Sequence, residues 1–378
     1  MINIFQPCLD ESDVNSIQDV IKTNWIGKGK KVKEFEEKFA KLQNADPELF
    51  LSTTSCTEAI FLATKIFNFG EGDEIIVPSI SFPSIGSAIL ESKATIVFCD
   101  VNTNTLNVEA ENIVNLINEN TKAIFITHYG GIPVDVDEIK KVFNNQDIKI
   151  IEDSACAIHS TYKGNACGTL GDMGFWSFDA MKTLTTGDGG MIFFKDKNNK
   201  NTASEMLYLG LPQDEKTGLD KSGNSKPWWE YELVRPGRRA IMNDITAAIG
   251  INQIAKVPGY ISRRNEIHDL YQSGLQNIEE LILPSEIDSH SKSSYYFYTI
   301  KTDYRDELAK FLLEHDIYST FRYWPLHKMK LFNSLNSVLP STEQVSRTAL
   351  NIPLHQSLSN DEVEYIIETI RQFFRERH

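Results

Sequence analysis

Gly174-Phe175-Trp176-Ser177-Phe178-Asp179-Ala180-Met181-Lys182, followed by Thr186-Gly187-Asp188-Gly189-Gly190 and Met191-Ile192-Phe193-Phe194, is the stretch on which the fold is read. Two short apolar runs, 174–178 and 191–194, bracket a loop with a lysine, two acids and a glycine cluster. Neither run alternates apolar with polar, which suits strands covered on both faces. The glycines mark a tight turn between them. Upstream the same text recurs. Residues 49–52, 74–77, 95–99, 123–127 and 148–152 read as strands, with helical patterns such as 57–67 and 136–143 between them. Strand–helix alternation predicts an α/β protein with a mainly parallel seven-stranded sheet.

The flanks complete the organisation. Residues 10–42 read as helices broken at Asn24-Trp25-Ile26-Gly27-Lys28-Gly29, and Val32, Phe35, Phe39 and Leu42 recur at helical spacing. Residues 207–235 form an irregular segment containing Trp228-Trp229; long loops in compact domains are often functional. Beyond it, 243–257, 306–315 and 361–374 read as helices and 293–302 as a strand. With 378 residues, the expectation is a large domain over 1–257 and a smaller α+β domain over 258–378.

The net charge of −14 argues against general nucleic-acid binding, which needs a basic surface. No stretch is long and apolar enough to cross a bilayer, and the N-terminus has no secretory pattern. The five cysteines, Cys8, Cys56, Cys99, Cys156 and Cys167, are odd in number and lack metal-ligand spacing. No metal site and no disulfide framework are expected, and a cytoplasmic location fits.

In an open parallel sheet, ligands sit at the carboxyl ends of strands. Ser55-Cys56-Thr57 opens a helix after the first strand, and a helix N-terminus suits phosphate. Phe82 follows the second strand, Asp153 and Cys156 the fifth, and Ser177, Asp179 and Lys182 the sixth. These are the parts of a pyridoxal-phosphate (PLP) site: a lysine, an acid for the pyridine nitrogen, a ring to stack, and hydroxyl and N–H groups for phosphate. Taken singly, each is ordinary; a strand-end Asp is usually a cap and Phe82 would be core. Their joint order carries the reading. No Gly-x-Gly-x-x-Gly follows the first strand, which disfavours a dinucleotide-binding dehydrogenase.

The lysine stretch also resembles that of the DegT/DnrJ/EryC1/StrS sugar aminotransferases. Similar motifs run in order: Asn24-Trp-Ile-Gly-Lys-Gly29, Gly72-Asp-Glu-Ile-Ile-Val-Pro78, Thr121-Lys-Ala-Ile124, Glu152-Asp153, Tyr162-Lys-Gly164 and Gly168-Thr-Leu-Gly-Asp172. They continue with Met242-Asn-Asp-Ile-Thr-Ala-Ala-Ile-Gly250, Trp324-Pro-Leu-His327 and Ile352-Pro-Leu-His355. The resemblance implies an aspartate-aminotransferase-like fold (fold type I), working as a homodimer with active sites at the interface. It implies Lys182 as Schiff-base lysine, Asp153 on the pyridine nitrogen and Phe82 on the ring, with Ser177, Thr57 and the Cys56 backbone on the phosphate. Arg239 stands where the family offers a partner-subunit residue to the phosphate. The implied reaction moves an amino group from an amino acid, by analogy L-glutamate, to a keto-sugar, most often nucleotide-linked.

Three positions depart from the family. Cys56 stands where Gly is usual, Cys156 where Gln or His commonly faces the cofactor's ring hydroxyl, and Asp179 where His is frequent. Acceptor recognition is expected at Trp25, Lys28 and Lys30, in the 207–239 segment, and from Arg322 to His327. Against these stand plainer roles: a solvated helix start for the lysines and a structural hydrogen bond for His327. Two alternative functions are kept, an aminotransferase for a small or phosphorylated ketone and a non-catalytic regulator that binds PLP or sugar. An intact Lys182/Asp153 pair disfavours the second.

Overall fold

The computed structural model describes residues 1–143, 146–212, 230–332 and 337–377; Trp228 and Trp229 lie outside them. All seven expected strands form and share one sheet. They are β1 (Phe50–Thr53), β2 (Glu74–Pro78), β3 (Thr95–Cys99), β4 (Thr121–Thr127), β5 (Lys149–Asp153), β6 (Met173–Ser177) and β7 (Gly190–Phe194). Their order across the sheet is β1-β7-β6-β5-β4-β2-β3. β2, β3, β4, β5 and β6 pair in parallel, while β7 runs antiparallel between β1 and β6. That reversal has a consequence. The carboxyl ends of the parallel strands and the amino end of β7 lie on one edge, so Thr186–Gly190 reaches the edge that carries Asp153 and Ser177.

The strands are buried on both faces because their residues are apolar without alternation, such as Ile75, Ile76 and Val77, or Ile124, Phe125 and Ile126. The helix α1 (Glu11–Lys22) is capped by Asp10, and α2 (Lys30–Leu42) buries Val32, Phe35 and Phe39, as their spacing predicts. Phe39 meets Trp176 edge-on at 5.2 Å and Phe178 at 5.4 Å. Each fully buried ring contributes about 2–3 kcal/mol, so α2 clamps β6 just ahead of Lys182.

The long helix α7 is preceded by α3 (Cys56–Ile66), α4 (Pro83–Ser92), α5 (Val136–Lys141) and α6 (Lys197–Leu207), and itself spans Asp244–Leu275. Sequence reading ends it at Val257, before Pro258; the structure carries it through Pro258. The proline removes one helical hydrogen bond, and burial of Val257, Tyr260 and Ile261 on either side outweighs that loss. Past Pro258 the helix buries Ile267, Tyr271 and Leu275 against Tyr298, Ile300, Leu350 and Ile366. Only Tyr298–Lys301 of the expected 293–302 strand is extended in a ladder, paired antiparallel with Ala349–Ile352. Arg305–Glu314 and Asn360–Arg375 supply the expected helices there.

Candidate active site

The sheet edge opens on a cavity of about 410 Å³, a size that suits a small-molecule ligand. Lys182, Asp153, Phe82, Ser177, Thr57, Cys56, Cys156, Asp179 and Arg322 all line it. Nine residues singled out from separate parts of the chain therefore meet in one place.

The turn bearing Lys182 is held by its own short hydrogen bonds. The Phe178 carbonyl accepts from the Thr186 N–H at 2.9 Å, and the Asp179 carbonyl accepts from the Lys182 N–H at 3.0 Å. Asp179 Oδ1 accepts from the Met181 N–H at 3.0 Å, and Ser177 Oγ from the Asp179 N–H at 3.3 Å. Asp179 thus fastens the lysine turn while facing the cavity. Lys182 Nζ donates to Cys156 Sγ at 3.6 Å and lies 4.9 Å from the Tyr296 ring centroid. Burial acts against its charge, but the acidic groups around it, with the Asp153 carboxylate among them, outweigh burial and hold the ammonium above its usual pKa.

Asp153 ends β5 and is buried. Burial raises its pKa, while the Ala155 N–H on Oδ1 at 3.0 Å and Lys182 act the other way. Its neighbour Glu152 fixes the strand end. Glu152 accepts from the Gly168, Leu170 and Gly171 N–H groups at 2.7, 2.7 and 2.6 Å and pairs with His128 Nε2 at 2.9 Å. Val134 N–H points at His128 Nδ1, so Nε2 is the nitrogen that donates to Glu152.

On the opposite side stands the N-terminus of α3. Ser55 caps it by accepting from the Glu58 N–H, which leaves the first N–H groups of the helix without intrahelical partners. Gly190 makes the approach possible. A Cβ there would stand 2.8 Å from the Cys56 nitrogen and 2.9 Å from the Ser55 carbonyl carbon. Burial raises the pKa of both the Cys56 and Cys156 thiols.

These residues fit a ring-and-phosphate cofactor. Two buried hydroxyls lining the cavity, Ser84 Oγ and Thr127 Oγ1, have no partner among the described residues, although buried polar atoms are nearly always paired. A free helix N-terminus, a buried acid, an amine and the half-exposed Phe82 ring surround the same space.

The remaining expected residues lie elsewhere in this chain. The Trp25 Nε1–H donates to the Lys28 carbonyl at 3.1 Å and closes its own loop. Lys28 and Lys30 are not in the cavity wall. Arg239 sits over the Tyr208 ring at 5.6 Å. His327 is buried with Nδ1 2.6 Å from Ser79 Oγ, the structural hydrogen bond set against its substrate role. Sequence reading missed Tyr129, Tyr296 and Phe297, all in the wall; Tyr323, from the expected 322–327 stretch, lines it too. The Tyr129 hydroxyl donates to the Arg322 carbonyl, and Phe82 meets Tyr323 edge-on at 5.5 Å.

Comparison with known proteins finds matches along nearly the whole chain. The family model of the DegT/DnrJ/EryC1/StrS aminotransferases matches residues 7–371. The chain is 40% identical over 374 residues to the dTDP-4-dehydro-2,3,6-trideoxy-D-glucose 4-aminotransferase of Saccharopolyspora spinosa, covering 98% of this chain and 96% of that protein. Its fold superposes on the aminotransferase TlmJ of Streptoalloteichus hindustanus with a TM-score of 0.94, at 39% identity over the full length of both. The PMP form of the sugar aminotransferase Spr1654 of Streptococcus pneumoniae follows at 0.91 and 26% identity, again over both whole chains.

Proposed function

This chain belongs to the DegT/DnrJ/EryC1/StrS aminotransferase family, a PLP-dependent sugar aminotransferase, and from that premise we propose how its own residues perform the transfer and on what. Lys182 is the residue that holds the cofactor, with Asp153 on the ring nitrogen, Phe82 against the ring, and Ser177, Thr57 and the Cys56 backbone on the phosphate. The observation that carries this is the convergence of Lys182, Asp153 and the α3 N-terminus on one cavity.

When bound, PLP supplies an electron sink conjugated to the amine being moved. The protein supplies the rest. Asp153, buried and anionic against its own desolvation, orients and charges the ring nitrogen. Lys182 Nζ, in its neutral form, would take the proton from the donor's α-carbon and release it on the cofactor side within the same half-reaction, and in the second half-reaction would carry a proton the other way, onto the acceptor carbon. Tyr129, Tyr296, Phe297 and Tyr323 exclude water from that transfer.

The donor we assign is L-glutamate and the acceptor a keto-sugar on a nucleoside diphosphate. Arg322 supports both: it lines the cavity and its guanidinium lies over the Phe5 ring at 5.1 Å, where an oxyanion meets a forked donor. The 40% relative is named for a dTDP-linked 4-keto-sugar. We also read the working unit as a homodimer. Leu9, Val14, Ile21, Trp25 and Ile26 are all more than half exposed, a run of exposed apolar side chains over 9–26 of the kind an interface would cover, and Arg239 then serves a second subunit's site. Lys28, Lys30 and Trp25 belong to the same shared mouth. We divide the chain into 1–257 and 258–378 on the change of core along α7. No helix among the described residues is long and apolar enough to cross a membrane, and we assign the cytoplasm.

The test is an absorption spectrum of the cofactor-loaded protein before and after L-glutamate, followed by dTDP- and GDP-linked 4-keto-sugars. Bleaching by glutamate and recovery with a nucleotide-linked sugar is expected. A visible band that ignores glutamate overturns the donor, and recovery with free but not nucleotide-linked sugars overturns the acceptor.

A further inference from the structure

Arg264 is a buried cation that the transfer reaction leaves unexplained. It lies within α7 and is 1% exposed. Its donors reach neutral acceptors: the carbonyls of Leu354 at 3.0 Å, Tyr295 at 3.2 Å and Tyr296 at 3.5 Å, and Gln356 Oε1 at 3.1 Å. None of these bonds goes to a carboxylate. A buried charge without a counter-charge is costly, and burial lowers its pKa to about 10, which still leaves it charged at neutral pH.

The guanidinium lies 5.6 Å from the centroid of the Tyr296 ring, and Lys182 Nζ lies 4.9 Å from the same centroid. Tyr296 is itself held fast. It stacks on Phe5 with ring centroids 5.0 Å apart, and its hydroxyl donates to the Met181 carbonyl, next to the lysine, at 3.2 Å. The groups facing Lys182 are Cys156, Tyr296, Tyr323 and Asp153, and of these the Asp153 carboxylate is the one that favours its charged form near neutral pH. Those facing Arg264 are Tyr296, Cys156 and His355, with Glu362 beyond His355. Arg322 at the cavity mouth is the other nearby cation; it is partly exposed and screened by solvent.

We propose that Arg264 is a positioning residue for the charge of Lys182: a permanent positive charge with no carboxylate on its hydrogen bonds, beside the same Tyr296 ring, that makes the lysine amine easier to deprotonate. The proposal rests on Lys182 being the working lysine, which must be neutral to take a proton. Two like charges within about 10 Å at an effective dielectric of ~20 shift a pKa by roughly one unit.

The decisive variant leaves Arg264 in place. Gln356→Glu keeps the shape and sets a carboxylate on the Arg264 Nε, cancelling its charge. Arg264→Gln removes the charge, and Arg264→Lys keeps it. The readouts are the rate of acylation of Lys182 at pH 8 in the cofactor-free protein, followed by peptide mass spectrometry, and the titration midpoint of the visible band in the loaded enzyme. Expected are acylation slower by about tenfold and a midpoint higher by roughly one unit in Gln356→Glu and Arg264→Gln, with Arg264→Lys near the parent. A purely structural anchor predicts the reverse pattern, with Arg264→Lys impaired and Gln356→Glu unshifted, and that result overturns the proposal. Should Arg264→Gln fail to fold, Gln356→Glu decides. Borohydride mapping of the cofactor to another lysine would refute the assignment of Lys182, while the acylation rates would still report what Arg264 does to its amine.

Discussion

The Lys182 amine and the Cys156 thiol face each other at 3.6 Å inside one cavity. Burial keeps the thiol protonated by raising its pKa, so the contact is a weak hydrogen bond to sulfur and not an ion pair.

The thiol's part in the chemistry is therefore small. Cys156→Ala should change kcat by no more than about fivefold, the size of one ordinary hydrogen bond, with Tm retained. A loss of 100-fold or more in steady-state assays would place the sulfur in the reaction itself.

Asp153 should show opposite signs for activity and stability. Its carboxylate is buried, and burial raises its pKa, so its charge is a cost to the fold. Asp153→Asn keeps the shape and is expected to hold or raise Tm while lowering kcat by about 100-fold or more, as for loss of a preorganised charge. A matched fall in both would mean the residue is a structural cap only.

Gly190 should be intolerant of even one carbon. Its Cβ would meet backbone atoms of Ser55 and Cys56, and backbone cannot swing away as a side chain does. Gly190→Ala should weaken PLP binding by about tenfold or more, about 1.4 kcal/mol, measured by cofactor titration. Unchanged affinity would remove the α3 N-terminus from the phosphate site.

His355 sets a pH dependence of stability. Burial first, and then Arg264, depress its pKa from 6.5 to about 4. The unfolded chain binds the proton more readily, so stability from this group is present above pH 6.5 and is lost as pH falls from there toward 4. The full effect is about 3 kcal/mol. His355→Asn should flatten the fall in Tm between pH 6.5 and 4 relative to the parent; identical slopes would contradict the assignment.

The sheet was legible because strands covered on both faces appear as unbroken apolar runs, and each observed strand begins or ends within two residues of its expected bound. Lys182, Asp153, Phe82 and Ser177 were legible for a related reason, since residues just past a parallel strand fall on the ligand-binding edge. Tyr296, Phe297 and Tyr129 were not. They reach the cavity by long-range folding, and an aromatic inside an apolar run such as Ser293-Ser294-Tyr295-Tyr296-Phe297-Tyr298 looks like core. Arg264 was hidden for the opposite reason: an arginine on a long helix reads as solvated, and only the fold turns it inward. Pro258 misled in its own way, because a proline reads as a helix stop and here burial on both flanks carries the helix through.

The central claim is that Lys182 carries the cofactor. Reduction of the PLP-loaded protein with borohydride, followed by peptide mass spectrometry, tests it most directly. The account predicts the cofactor's mass on the Lys182 peptide in the parent, and neither that mass nor turnover in Lys182→Arg. Cofactor fixed on another lysine, or substantial turnover in Lys182→Arg, would contradict it.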